Sequence, residues 1–343
     1  MRSALIVGLS GDTLTSQERA FLREVRPAGL ILFARNCIEP EQIRRLVGEA
    51  RTSIGENDVL VLIDQEGGRV RRLRPPQWRE LPAAAAFAAL RDTAPAHGIQ
   101  AARLAARATA QELSRLGINT NCTPVLDLRV PGAHDIIGDR AYGTTPDEVA
   151  GLGRAVAEGH MAGGVVPVVK HIPGHGRALA DSHLELPVVD TARAELEASD
   201  FAPFRALADM PAAMTAHVVY TAVDPRFPAS TSPVVTREVI RGHIGFDGLL
   251  MSDDLGMRAL DGSFRARAEA VIGAGSDVAL HCSGDIAEMR EAAAGVPALA
   301  GDARRRFQAC IAITRREQPF DMAEADAAVA EVTALMAARV ASA

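Results

Sequence analysis

About eight short apolar runs punctuate this chain, each ending on a polar or charged residue and each separated from the next by a helix-patterned stretch. The runs are Ala4–Leu9, Gly29–Phe33, Val59–Ile63, Asn119–Leu126, Val165–Val169, Ala212–Ala216, Leu249–Met251 and Asp277–Leu280. A strand with one wet face alternates apolar and polar residues, and these runs do not. Strands buried on both faces belong to parallel sheets covered by helices. No glycine-rich dinucleotide fingerprint follows the first run, which disfavours a doubly wound sheet. The expected fold is therefore an α/β (β/α)8 barrel. The 343 residues, 48% of them hydrophobic, suffice for its core. No break in composition marks a second domain, so residues 1–343 are read as one barrel with a helical extension over 321–343.

The intervening helices carry their own signals. Ser16 is a plausible N-cap for a helix that stops near Pro27. Ile43, Leu46, Val47 and Ala50 fall on one helical face. The Ala-rich stretch 100–116 ends at Gly117, a natural helix stop. Thr145-Pro146-Asp147-Glu148 reads as N-cap, N1 proline and capping-box glutamate, with Val149, Leu152 and Val156 turned inward. Asp190 is expected to cap the helix after the fifth strand.

Composition excludes several classes. A net charge of −6, with only the short mixed run Arg69–Arg74 as a basic cluster, argues against nucleic acid as a partner. The Ala83–Ala89 tract is too short to span a bilayer. The first apolar run is too short for a signal-peptide core and lacks a cleavage site after it. Cys37, Cys122, Cys282 and Cys310 are scattered, without a CxxC pair, as in a reducing compartment. A cytoplasmic protein is expected, a monomer without a membrane partner.

In a barrel of this kind, functional groups gather at the carboxyl ends of the strands. Those ends carry Asp64, Asp127, Lys170-His171, His217, Asp253 and His281. The densest stretch is Lys170–His183, which holds three histidines, a lysine and an aspartate behind the fifth run. A simple connection has no need of such length or such residues. Gly67, Gly68, Gly174 and Gly176 are expected at turns with unusual backbone angles.

Five ordered motifs narrow the reading. They are Ile63-Asp-Gln-Glu-Gly-Gly-Arg-Val70, Ile137-Gly-Asp-Arg-Ala-Tyr142, Lys170-His-Ile-Pro-Gly-His-Gly176, Asp181-Ser-His183 and Met251-Ser-Asp-Asp-Leu255. Over residues 4–300 the chain resembles family 3 glycoside hydrolases, and within them the bacterial single-domain β-N-acetylglucosaminidases of cell-wall recycling. Ile172 departs from the pattern, standing where an aromatic residue is more usual; an effect on packing alone is expected.

Glycoside hydrolysis needs a nucleophile or base and a proton donor flanking the scissile bond. The carboxylates available at strand ends are Asp64, Asp127, Asp253 and Asp254, and spacing does not separate the last two. The resemblance implies Asp253 as nucleophile and Asp254 as a structural neighbour. It implies an Asp181–His183 dyad as acid and base, a carboxylate holding and charging an imidazole. Asp64, Arg72, Arg140, Lys170 and His171 resemble the sugar-binding set, with His217 and Met257 lining the pocket and His175 only shaping the loop. The substrate implied is a muropeptide or chitobiose-like small molecule, with N-acetylglucosamine removed from its non-reducing end, and no cofactor or metal is expected. Alternatives are a metal-dependent hydrolase using His171, His175 and His183, a β-glycosidase or phosphorylase of other sugar specificity, and a sugar-binding protein without catalysis.

Overall fold

A computed structural model describes residues 1–182, 184–316 and 318–341, the last three by backbone alone. Eight strands close into a barrel: β1 (Ser3–Gly8), β2 (Pro27–Leu32), β3 (Leu60–Ile63), β4 (Thr120–Asn121), β5 (Val166–Ile172), β6 (Ala212–Thr215), β7 (Leu249–Asp254) and β8 (Val278–His281). Each strand pairs in parallel with its successor, and β8 returns to β1 through Leu5↔Ala279 and Ile6↔Leu280. The fold is the (β/α)8 barrel that the apolar runs imply.

Alternate residues of each strand serve different cores. Ile6, Ile31, Leu60, Leu62, Val168, Met214, Met251 and Leu280 fill the barrel interior. Leu5, Val7, Leu30, Val61 and Ile63 face the helices instead. At the amino-terminal mouth, Leu299 and Phe307 of the segment around helix Gly301–Ile313 join the interior cluster. Leu299 N–H donates to Arg2 C=O at 2.8 Å, and Cys310 Sγ lies 3.4 Å from Pro211 C=O, which pins that segment under β1 and β6. Full burial of Phe307 is worth roughly 1.5–3 kcal/mol. The mouth at the other end stays open.

Local chemistry explains where elements begin and end. The capping box at Thr145 and Glu148 forms and opens helix Pro146–Ala162. The first helix, Ser16–Val25, is capped one residue earlier than Ser16, because Thr15 Oγ1 accepts Glu18 N–H while Glu18 accepts Thr15 N–H. Asp190 does not cap a helix: its carboxylate accepts a 2.7 Å bond from Thr221, beside a two-stranded ribbon of 188–189 with 219–220, and Ala192 takes the N-cap. β4 is shorter than the apolar run, since Pro124 has no N–H to continue the ladder. β5 is longer than its apolar run and carries Lys170 and His171 within the sheet. Helix Met322–Ala341 buries Ala325, Ala328, Val329 and Val332, packing against helices Ala84–Thr93 and Pro95–Arg115.

Candidate active site

The open mouth holds a cavity of about 390 Å³. Ile31, Met214 and Leu280 form its floor, and its walls include Asp64, Glu66, Arg72, Arg140, Lys170, His171, Asp253, Asp254 and Met257. Eight residues singled out from the sequence thus meet here: Asp64, Arg72, Arg140, Lys170, His171, Asp253, Asp254 and Met257.

One wall is an interlocked ion cluster. Lys170 Nζ donates to Asp64 Oδ1 at 2.9 Å and to Glu66 Oε1 at 2.6 Å. Arg72 donates to the other Asp64 oxygen at 2.9 Å, and its guanidinium lies 5.1 Å from the Phe33 ring centroid. Arg140 grips Glu66 with two 2.8 Å bonds, the planar two-pronged geometry that suits guanidinium and carboxylate. Burial penalises the charge on Asp64, but Lys170 and Arg72 outweigh it and hold the carboxyl well below its usual range. Glu66 is likewise buried, yet Arg140 and Lys170 bring it down to about 2. Lys170 is lifted above the usual lysine value, because Asp64 and Glu66 overcome its desolvation. Asp64, Glu66 and Lys170 therefore stay charged across neutral pH.

Lys170 and His171 both reach the cavity because β5 bulges between them and Ile172. Lys170 pairs with Met214 while Ile172 pairs with Thr215, so the extra residue His171 is re-aimed. Asp127 secures that bulge. Its carboxylate accepts His171 Nδ1–H at 2.6 Å and the His175 backbone N–H at 2.7 Å. Asp127 is fully buried and is no wall of the cavity, so it leaves the set of reacting carboxylates.

Across the mouth, β7 delivers Asp253 and Asp254. Asp253 Oδ1 accepts the Asp254 N–H at 2.8 Å. Asp254 Oδ1 accepts from Gly256 N–H and Cys282 N–H at 2.9 and 3.0 Å, binding the end of β7 to that of β8. His217 is wholly buried beneath and does not line the cavity. Its Nε2 donates to Asp254 C=O at 3.1 Å and its Nδ1 accepts from Ser230 at 2.7 Å. Burial keeps His217 below the usual imidazole value despite the nearby Asp253 charge.

The loop after β5 fits the expectations unevenly. His183 lies outside the described residues. Asp181 is half-buried and is not among the residues lining the cavity. Its carbonyl accepts the N–H groups of Leu184 and Glu185. His175 is buried, with Nε2 3.1 Å from Ser182 Oγ, and burial lowers it to about 4. Gly67, Gly68 and Gly174 have the expected positive φ; Gly176 does not. There a Cβ would sit 2.2 Å from Leu128 C=O, so Gly176 answers a close approach of two chains. Ile172 is buried in the outer core.

Sequence reasoning missed Glu66. The signal was present, because residues two apart on an extended chain share a side, and Glu66 stands two from Asp64. Arg35 and Phe33, which leave the end of β2, were also missed as wall residues.

A pocket floored by apolar side chains and walled by fixed carboxylates and cations matches a ring rich in hydroxyls, which accept from lysine and arginine and donate to carboxylates. With a further carboxylate pair across the cavity, the class is that of a glycoside hydrolase. Residues 6–306 match the glycosyl hydrolase family 3 N terminal domain. A β-hexosaminidase of Alkalilimnicola ehrlichii is 43% identical over 283 residues, 81% of this chain and 80% of that one. One of Methylococcus capsulatus is 39% identical, spanning 88% of this chain and 90% of its own. NagZ from Neisseria gonorrhoeae, solved with N-trifluoroacetyl-D-glucosamine, superposes with a TM-score of 0.86 at 34% identity, covering 96% and 98% of the two chains. The chain belongs to glycoside hydrolase family 3 and is a β-N-acetylhexosaminidase.

Proposed function

We propose that the chain is a retaining exo-β-N-acetylglucosaminidase acting on peptidoglycan fragments in the cytoplasm, as a monomeric single-domain enzyme. Its substrate is N-acetylglucosamine linked β-1,4 to anhydro-N-acetylmuramic acid, with or without a peptide. The observation that carries this reading is the placement of Asp253, on β7, across one cavity from the Asp64–Lys170–Glu66–Arg140 cluster on the β3 and β5 side. The cluster offers both donors and acceptors to the hydroxyls of a terminal sugar, and His171 and Arg72 extend it. Asp253 then attacks the anomeric carbon and forms a glycosyl-enzyme, the covalent step of a retaining hydrolase. His183, held by Asp181, protonates the leaving oxygen and afterwards takes the proton from water. The likeness to enzymes named β-hexosaminidases supports the sugar.

A substrate panel tests this. An aryl N-acetyl-β-glucosaminide and the anhydromuramic disaccharide should both be cleaved, with the aryl β-glucoside and β-xyloside far behind. A 2-fluoro sugar should leave its mass on the peptide containing Asp253. Equal rates on the glucoside, or an adduct on another residue, would sink the corresponding half of the reading.

A further inference from the structure

We propose that His160, in the outer helix Pro146–Ala162, is a positioning residue for the sugar-binding wall, acting through Asn121 and Gln65. The inference rests on the assignment of Asp64, Glu66 and Arg72 to sugar binding. Three polar residues, His160, Asn121 and Gln65, are buried between the barrel and its helices. Buried polar groups are costly unless satisfied, and these form a directed chain.

The chain starts at the helix. His160 Nδ1 lies 2.9 Å from Val156 C=O, which can only accept, so Nδ1 carries the proton. The opposite nitrogen, Nε2, is then a bare acceptor, and it sits 2.9 Å from Asn121 Nδ2. Burial lowers the imidazole to about 4, which keeps it in that neutral form. The other Asn121 Nδ2–H reaches Gln65 C=O at 3.0 Å, while Asn121 Oδ1 accepts Gln65 N–H at 3.0 Å. The His160 acceptor and the two backbone groups of residue 65 together select one orientation of the Asn121 amide, which clamps residue 65.

Gln65 passes the constraint on. Its side-chain Oε1 accepts Arg72 N–H at 2.9 Å and Leu73 N–H at 3.0 Å, and its Nε2 donates to Leu73 C=O at 3.0 Å. Asp64 and Glu66 flank the clamped residue, and Arg72 hangs from its side chain. Three members of the wall are thus set by one buried amide pair braced from the helix layer. None of the three relay residues needs to touch the sugar.

Two polar substitutions separate this role from a merely structural one. In His160→Gln the amide oxygen reaches the place of Nε2 and keeps the acceptor for Asn121. In His160→Asn the shorter amide keeps the bond to Val156 and loses that acceptor. Expected for His160→Asn is a rise in KM on an aryl N-acetyl-β-glucosaminide of about tenfold, with kcat within about threefold, and a matching loss of N-acetylglucosamine affinity. His160→Gln should stay within about threefold of the wild type on every parameter. Equal damage in both variants, or an unchanged KM in folded His160→Asn, overturns the proposal. Should His160→Asn fail to fold, Gln65→Met cuts the same chain at its other end, and an unchanged KM there is equally decisive. Asp64→Ala, measured alongside, isolates the underlying assignment. If its KM rises while His160→Asn behaves as wild type, the relay is wrong and the sugar wall stands. If its KM does not move, the sugar wall is wrong and the relay falls with it.

Discussion

The wall made by β3 and β5 and the loop that follows β5 are neighbours in sequence and opposite in construction. On the wall, Lys170 and Glu66 side chains are 3% and 6% exposed and every charge has a charged partner. On the loop, Leu179 and Leu184 are 73% and 65% exposed, and Val188 and Leu186 also face solvent. The wall is preorganised by buried ion pairs and by the amide relay behind it, as a binding surface should be. The described part of the loop leaves Leu179, Leu184, Leu186 and Val188 outside the core, so fewer apolar contacts hold it. The proposed sugar recognition falls on the buried ion cluster, and the proposed acid and base chemistry on the segment with fewer apolar contacts.

The largest expected effect is that of Asp253→Asn, on β7 across the cavity from the wall. Turnover should nearly vanish while the fold and N-acetylglucosamine binding persist, because charge is removed and shape kept. If Asp254→Asn is instead the variant that binds without turning over, the nucleophile is misassigned.

His183→Ala probes the loop, and its effect should depend on the leaving group. A sugar alcohol departs poorly unprotonated, so the loss on a disaccharide should be on the order of 10² or more, with far less on a nitrophenyl glycoside. A burst of nitrophenol should appear as the glycosyl-enzyme accumulates. Asp181→Asn should give a milder form of both. Uniform losses without a burst would move the proton donor to another residue, with His175 the first to try.

Glu66→Gln should hurt stability as well as binding, unlike any change on the loop. It leaves Lys170 and Arg140 short of one buried partner each, a cost of about 3–5 kcal/mol that a melting curve would read, beside a raised KM. A variant with unaltered Tm would erase the contrast in rigidity. Asp64→Ala should lower kcat/KM about tenfold through KM, since a methyl cannot replace the acceptor; an unchanged KM would place Asp64 in a structural role.

The smallest effect is with pH. Burial opposes the charge on Glu66, but Arg140 and Lys170 prevail and depress its carboxyl from 4.5 to about 2. Its contribution to stability is therefore complete above 4.5 and lost as pH falls through about 2. Lys170 is raised above 10.5, so its share is complete below that value and lost only at higher pH. Thermal stability should be nearly level between those limits as far as the wall is concerned. A marked drop between pH 5 and 7 would show that the wall is not ionised as described.

The barrel was legible because most of its strands carry runs that are apolar on both faces, a pattern few other architectures require. The cavity residues at strand ends were legible for the same reason, since a charge that closes an apolar run must point out of the core. What escaped depends on partners far apart in the chain. Nothing near Asn121 announces His160, and nothing near Asp127 shows that its carboxylate is consumed by His171 and the His175 backbone. Gly176 was assigned to backbone freedom, whereas the neighbouring Leu128 carbonyl makes a side chain impossible. Asp190 lost its helix to a hydroxyl on a segment thirty-one positions away.

Ile31, Met214 and Leu280, above a barrel interior packed down to Phe307, make the cavity a blind well. A polymer cannot be threaded through it, and traffic in and out shares one opening. A chain end can descend until it meets Ile31, Met214 and Leu280, while an internal unit, with a neighbour on both sides, has nowhere to put the second. On the proposed reading the freed sugar is the deeper of the two products, so the aglycone clears the opening before it. Selection for termini and the order of product departure would both follow from that packed floor.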